Sequence, residues 1–137
     1  MVEKAGNLDW VRLNGKDSRA WVVDDFRTTK FPSKAITVEA WVSPAQAMRW
    51  GGIAGIIQDN GDYERGWLLG YVDRKFSFAL ASEGHQRLPY MQGKTAFQDN
   101  RWYHVVGTYD SESKATRLFV NGKLEAEQKV HSGAILY

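Results

Sequence analysis

Three carboxylates and an amide crowd one short stretch of this chain, Gln58-Asp-Asn-Gly-Asp-Tyr-Glu-Arg65, with Asp59, Asp62 and Glu64 falling inside six residues. Hard oxygen donors at this density suit calcium, which takes roughly 6–8 oxygens. The order is not that of an EF-hand, which alternates acidic or amide residues before its glycine. A surface hairpin turn with solvated acids is the competing reading, because one loop rarely furnishes so many ligands. Tyr63 in this stretch and Trp50 upstream add aromatic faces that can stack on a sugar ring or anchor a protein contact, while Asp and Asn accept from hydroxyls. Trp50, Asp59, Asn60, Asp62 and Tyr63 therefore form the candidate ligand-binding set.

Nucleophilic catalysis finds less support. The absence of cysteine removes disulfides, thiolate chemistry and thiolate-rich metal sites together. His85, His104 and His131 lie far apart in sequence, and no serine sits in a recognisable nucleophile turn. A net charge of +2, with Lys and Arg scattered, implies neither nucleic acid nor an anionic membrane surface as partner. No run approaches the ~20 apolar residues of a membrane helix. Met1-Val-Glu-Lys-Ala-Gly has no apolar stretch and does not read as a signal peptide. With 137 residues, 43% hydrophobic and 25% charged, the chain is expected to be one domain over 1–137, able to bury roughly 65–70% of its unfolded surface.

The elements that must position these residues are strands. Ile36-Thr-Val-Glu-Ala-Trp-Val-Ser-Pro44 alternates Ile36, Val38, Ala40 and Val42 with Thr37, Glu39, Trp41 and Ser43, a period of two. Trp102-Tyr-His-Val-Val-Gly-Thr-Tyr-Asp110 does the same with apolar bulk on both faces, which places it mid-sheet, as does Trp67-Leu-Leu-Gly-Tyr-Val72. Gly70 and Gly107 are expected to mark close approach or a bulge. Ala115-Thr-Arg-Leu-Phe-Val-Asn-Gly-Lys123 carries an Asn121-Gly122 pair suited to a type I′ hairpin turn. Expected strands are Trp10–Asn14, Ala20–Val23, Ile36–Ser43, Gly52–Gln58, Trp67–Val72, Phe76–Ala81, Trp102–Tyr109, Thr116–Asn121 and Leu124–Lys129. Ser43 to Trp50 has room for one helical turn. Glu83 to Arg101 is the longest irregular piece, a binding loop or a crossover. Trp41 and Trp102 are read as packing residues, against the alternative of a sugar-stacking platform on an open concave face. The fold class is all-β, an antiparallel two-sheet sandwich.

Thr37-Val-Glu-Ala-Trp-Val42 and Trp102-Tyr-His-Val-Val-Gly-Thr-Tyr-Asp110 resemble two central strands of the laminin G-like, concanavalin A-like jelly-roll domains, and the resemblance runs from Leu8 to Val130 through Val11-Arg-Leu-Asn-Gly15 and Leu118-Phe-Val-Asn-Gly-Lys-Leu124. It implies a jelly roll that binds glycans or proteins as part of a larger extracytoplasmic chain. In pentraxins of the same architecture an Asp-Asn pair binds calcium, and Asp59-Asn60 is similar, although the later Glu-Gln-Asp segment that completes such sites has no counterpart here. A second calcium mode of the family uses an Asp-Gly hairpin, where this chain has Asn14-Gly15 and Asp17; Asp24-Asp25 more often caps a turn. Related glucanases carry Glu-x-Asp-x-x-Glu on one strand. Here Glu39 is followed by Trp41 where the Asp should stand, so hydrolysis is not expected. His104, in a position the family also fills with His, reads as structural. Family members continue through another strand or two, so this chain is expected to lack a C-terminal strand. That would leave an open edge beside Trp10–Leu13 and self-association through it, unless Val130–Tyr137 folds back. The resulting reading is a non-catalytic binding module for a glycan or protein surface, engaged through edge loops. The alternative is a structural or assembly domain with no small ligand.

Overall fold

The computed structural model describes residues 2–5, 8–23, 25, 29–45 and 47–137. Among them are ten strands and no helix: β1 (Val2–Ala5), β2 (Leu8–Val11), β3 (Ala35–Val42), β4 (Trp50–Asp59), β5 (Glu64–Val72), β6 (Lys75–Leu80), β7 (Met91–Ala96), β8 (Tyr103–Asp110), β9 (Ala115–Val120) and β10 (Lys123–Gln128). The chain divides into two compact units, Met1–Phe31 and Pro32–Tyr137. In the first, β1 and β2 form a hairpin running from Val2↔Val11 to Ala5↔Leu8. The expected strand at Ala20–Val23 does not form: Trp21 and Val22 are 73% and 94% exposed, and among the described residues no strand pairs with them. No helical turn occurs among the described residues of 43–50, Gln46 lying outside them.

The second unit holds two antiparallel four-stranded sheets, ordered β10-β9-β8-β3 and β4-β5-β6-β7. This is the all-β jelly-roll sandwich expected from the alternating runs. β5 and β8 are interior strands, as their two-sided apolar bulk requires. Leu69, Phe76, Phe78, Leu80, Val105, Tyr109 and Leu118 fill the space between the sheets, with Ile36, Val38, Ala40 and Val42 against them. Each such fully buried side chain contributes about 1.5–3 kcal/mol relative to exposure. Gly107 is required at that interface, since an added Cβ would sit 2.5 Å from the Phe78 ring. The β9–β10 turn is the expected one, Asn121 and Gly122 holding φ of 50° and 76°. Ser132–Tyr137 returns along the sandwich: Ile135 is buried, Leu136 N–H donates to the Ala81 carbonyl at 3.0 Å, and Gly66 N–H donates to the Leu136 carbonyl at 2.7 Å.

β7 falls inside the stretch expected to be irregular. Its ladder with β6 slips between Lys75 and Ser77. β10, at the edge of the facing sheet, has a bulge between Leu124 and Ala126. The extra residue there is Glu125, and the bulge aims its carboxylate at β7, where it accepts from the Lys94 and Thr95 N–H groups at 2.8 and 2.9 Å and from the Thr95 hydroxyl.

Candidate functional site

The β4–β7 sheet turns small or short side chains away from the core. Ser77 and Ala79 alternate with the core residues Phe76, Phe78 and Leu80, and Leu68 alternates with Trp67 and Leu69. Residues 85–90 cross this floor and bury Leu88 against Ala79 and Ala81, with Tyr90 beside it. At the other edge β4 carries a bulge between Gly52 and Ala54, and a bulge bends its strand. A cleft of about 330 Å³ results, lined by Trp50, Gly51, Gly52, Asp59, Leu68, Tyr71, Ser77 and Tyr90.

Glu64 holds the crossing loop in place. Its carboxylate, 11% exposed, lies 2.8 Å from the Arg87 guanidinium and accepts the Leu88 N–H. The hydrogen bond from Arg87, then that from Leu88, keep the Glu64 carboxyl below its ordinary value. Arg87 also donates to the Gly61 carbonyl, so the β4–β5 turn and the loop are tied at two points. Tyr90 supplies a third, its hydroxyl donating to Asp59 Oδ2 at 2.6 Å. Burial, reinforced by the Asp59 carboxylate, pushes the Tyr90 phenol well above its ordinary value and keeps it a donor. Trp50 meets Tyr90 edge-on with ring centroids 5.2 Å apart, and half of it faces solvent.

Of the five residues picked out by sequence, two converge in this cleft, Trp50 and Asp59. Asn60 Oδ1 instead closes the turn by accepting the Tyr63 N–H at 2.7 Å. Asp62 is exposed at the tip, and Tyr63 lies under the Arg65 guanidinium, 4.2 Å from the ring centroid. Tyr90, Leu68 and Ser77 were not singled out by sequence. The one signal for Tyr90 was an aromatic following Leu88-Pro89 in a piece already marked as a possible binding loop.

The residues present do not fit calcium. Asp59 and Asn60 each offer an oxygen that already accepts a protein hydrogen bond, and no group of three His, Cys, Asp or Glu side chains converges among the described residues. In the first unit Asn14 Oδ1 accepts the N–H groups of Lys16, Asp17 and Ser18, while its amide nitrogen donates to Asp17 at 2.6 Å. That arrangement is a side-chain-capped turn. Asp24 lies outside the described residues. Glu39 belongs to the other sheet, 2.9 Å from His104 Nε2. Trp41 and Trp102, expected to pack, are 68% and 48% exposed: the core side of β3 belongs to Ile36, Val38, Ala40 and Val42, which turns Trp41 outward.

An antiparallel two-sheet sandwich with this strand pattern defines the class. The chain belongs to the concanavalin A-like lectin/glucanases superfamily, whose model matches residues 10–136. A search among curated proteins finds no match. Among solved structures, a protein of Bacteroides ovatus ATCC 8483 to which carbohydrate binding has been ascribed shares the fold, with a TM-score of 0.56 and 19% identity over 74% of this chain. The match covers 28% of that chain, so the present chain spans little more than a quarter of its length.

Proposed function

We propose that this is a non-catalytic glycan-binding module that holds a sugar in the cleft between Trp50, Asp59 and Tyr90. The observation that carries the reading is the composition of that cleft: a half-exposed indole, a carboxylate and a phenol above a floor of Gly52, Leu68 and Ser77. A pyranose offers an apolar C–H face and a rim of hydroxyls. The indole takes the first, and the Asp59 carboxylate accepts from the second in a charge-assisted bond. The loop is already tied down by Glu64 and Asp59, so little ordering entropy is lost on binding. Carbohydrate binding ascribed to the Bacteroides ovatus neighbour agrees with this choice over a protein surface.

Two features support a non-catalytic module within a superfamily that includes glucanases. A retaining hydrolase needs a nucleophile and an acid with carboxyls about 5–5.5 Å apart. Asp59 is the one carboxylate among the residues lining the cleft, and its cross-strand neighbour Glu64 is paired with Arg87 and held ionised, unable to donate a proton at neutral pH. The same reading puts the module outside the cytoplasm, where polysaccharides are met.

Affinity electrophoresis of the wild type and Trp50→Ala through soluble β-glucan, xylan and mannan tests the proposal. Retardation by one polysaccharide, lost in Trp50→Ala, is the expected result. Equal mobility of both proteins in every gel would overturn the cleft as a glycan site, and reducing ends released by the wild type would overturn the non-catalytic assignment.

A further inference from the structure

Trp41 stands directly opposite His104 in the β3–β8 ladder, on the face of that sheet turned away from the core. The two rings stack with centroids 5.1 Å apart and planes 24° from parallel. His104 is itself fixed: its Nε2 lies 2.9 Å from Glu39 Oε2, and its backbone N–H donates to Asn121 Oδ1 at 2.9 Å. One face of the Trp41 indole thus leans on a held imidazole while 68% of the residue meets solvent. Trp102, the residue just before β8, is 48% exposed. Glu39, two residues before Trp41 on β3, holds an exposed carboxylate beside the pair.

We propose that Trp41, backed by His104 and with the Glu39 carboxylate at its rim, is a second saccharide site, a platform for the C–H face of a neutral pyranose in an oligosaccharide. It lies on the opposite sheet from the cleft and does not depend on it. The electron-rich indole face attracts the polarised C–H groups of a sugar, and Glu39 accepts a ring hydroxyl. A protein partner fits this surface less well, because interface cores are depleted of charge. Here a carboxylate adjoins the indole, and the Arg117–Glu127 ion pair occupies the same sheet at the β9–β10 edge. Sites on opposite faces let one module engage two polysaccharide chains at once, or gain avidity on one folded chain.

The test is a titration of the full 137-residue chain with soluble hexasaccharides of β-linked glucose, xylose and mannose, following the assigned indole N–H signals by two-dimensional NMR. The Trp41 indole is expected to shift with at least one sugar. In Trp41→Ala that affinity falls by about tenfold or more, while Trp50→Ala retains it. Glu39→Gln, which keeps the outward surface and the fold, weakens it by about threefold or more. The platform is overturned if no hexasaccharide at millimolar concentration moves the Trp41 indole, or if only Trp50 responds. It is equally overturned if the Trp41 signal moves with protein concentration alone, which would make this face a contact between copies. A responding Trp41 with a silent Trp50 would remove the cleft reading and leave this one standing.

Discussion

The two sheets of Pro32–Tyr137 use the same core and treat their other faces in opposite ways. β8 alternates strictly between buried and half-buried residues along its length, so its second face is open. β6 is buried at every position from Phe76 to Leu80, because the loop through Leu88 and Tyr90 lies over Ser77, Ala79 and Ala81. The open sheet leaves a large aromatic, Trp41, exposed on its outer face. Short side chains on the covered sheet let a loop settle, and the settled loop makes a cleft. Concavity here comes from what a strand leaves out.

A buried cation separates the two faces most sharply. Ala79→Lys places an ammonium under the loop and is expected to cost about 3–5 kcal/mol, whereas Val106→Lys, facing outward opposite Glu39, should stay within about 1 kcal/mol. Urea denaturation of both variants decides it, and equal losses would mean the faces do not differ as described.

Acid comes next. His131 is buried beside Ser82 Oγ, 3.2 Å from Nδ1, with the His85 and Tyr109 rings against it. Burial first, and the charge of His85 second, push its pKa down to about 4. The folded state therefore favours neutral His131. Stability is fully present above the ordinary value near 6.5 and drains as pH falls toward 4, by on the order of 2–3 kcal/mol. Thermal denaturation across this window should show the slope, and His131→Gln should flatten it. Glu64 acts in a lower window, since its carboxyl is depressed too: its contribution is present above the ordinary carboxylate value and lost as pH falls through the depressed one.

Glu64→Gln should cost about 1–2 kcal/mol and free residues 85–90, read as faster amide exchange at Leu88 with β8 unchanged. Trp50→Ala should cost about 1–2 kcal/mol, because it removes the buried half of the indole and its edge-on contact with Tyr90. Calcium at millimolar concentration should leave the melting temperature where it was, as a site without converging ligands predicts.

Most strands were legible because one face of each is buried, and burial on one side imposes period two. Ile36–Ser43 and Trp102–Tyr109 gave themselves away in this manner. Met91-Gln-Gly-Lys-Thr-Ala96 did not: it lies at a sheet edge, contains Gly93 and Lys94, and owes its extended form to a partner strand and the Glu125 carboxylate rather than to its own propensity. Trp-Val-Val at 21–23 failed in the opposite sense, with strand-like residues and no surface described to receive them. Trp41 shows a related limit. Alternation sorts side chains into two sets without saying which set is bulkier than the space available. Only part of the proposed cleft was legible, for the same reason. Local sequence can reveal that Asp59 and Trp50 are suited to a ligand, but Tyr90 reaches them through a contact 31 residues distant from Asp59.

Glu125 has a meaning for how copies of this chain can meet. A strand at the rim of a sheet is a growing end, ready to accept the next strand and pass the offer on. On β7 the slipped ladder and a carboxylate from the neighbouring rim have already taken the Lys94 and Thr95 donors, so this end is terminated. Polymer growth from that rim would first have to displace an ionised side chain, and a Glu125→Ala variant restores the growing end.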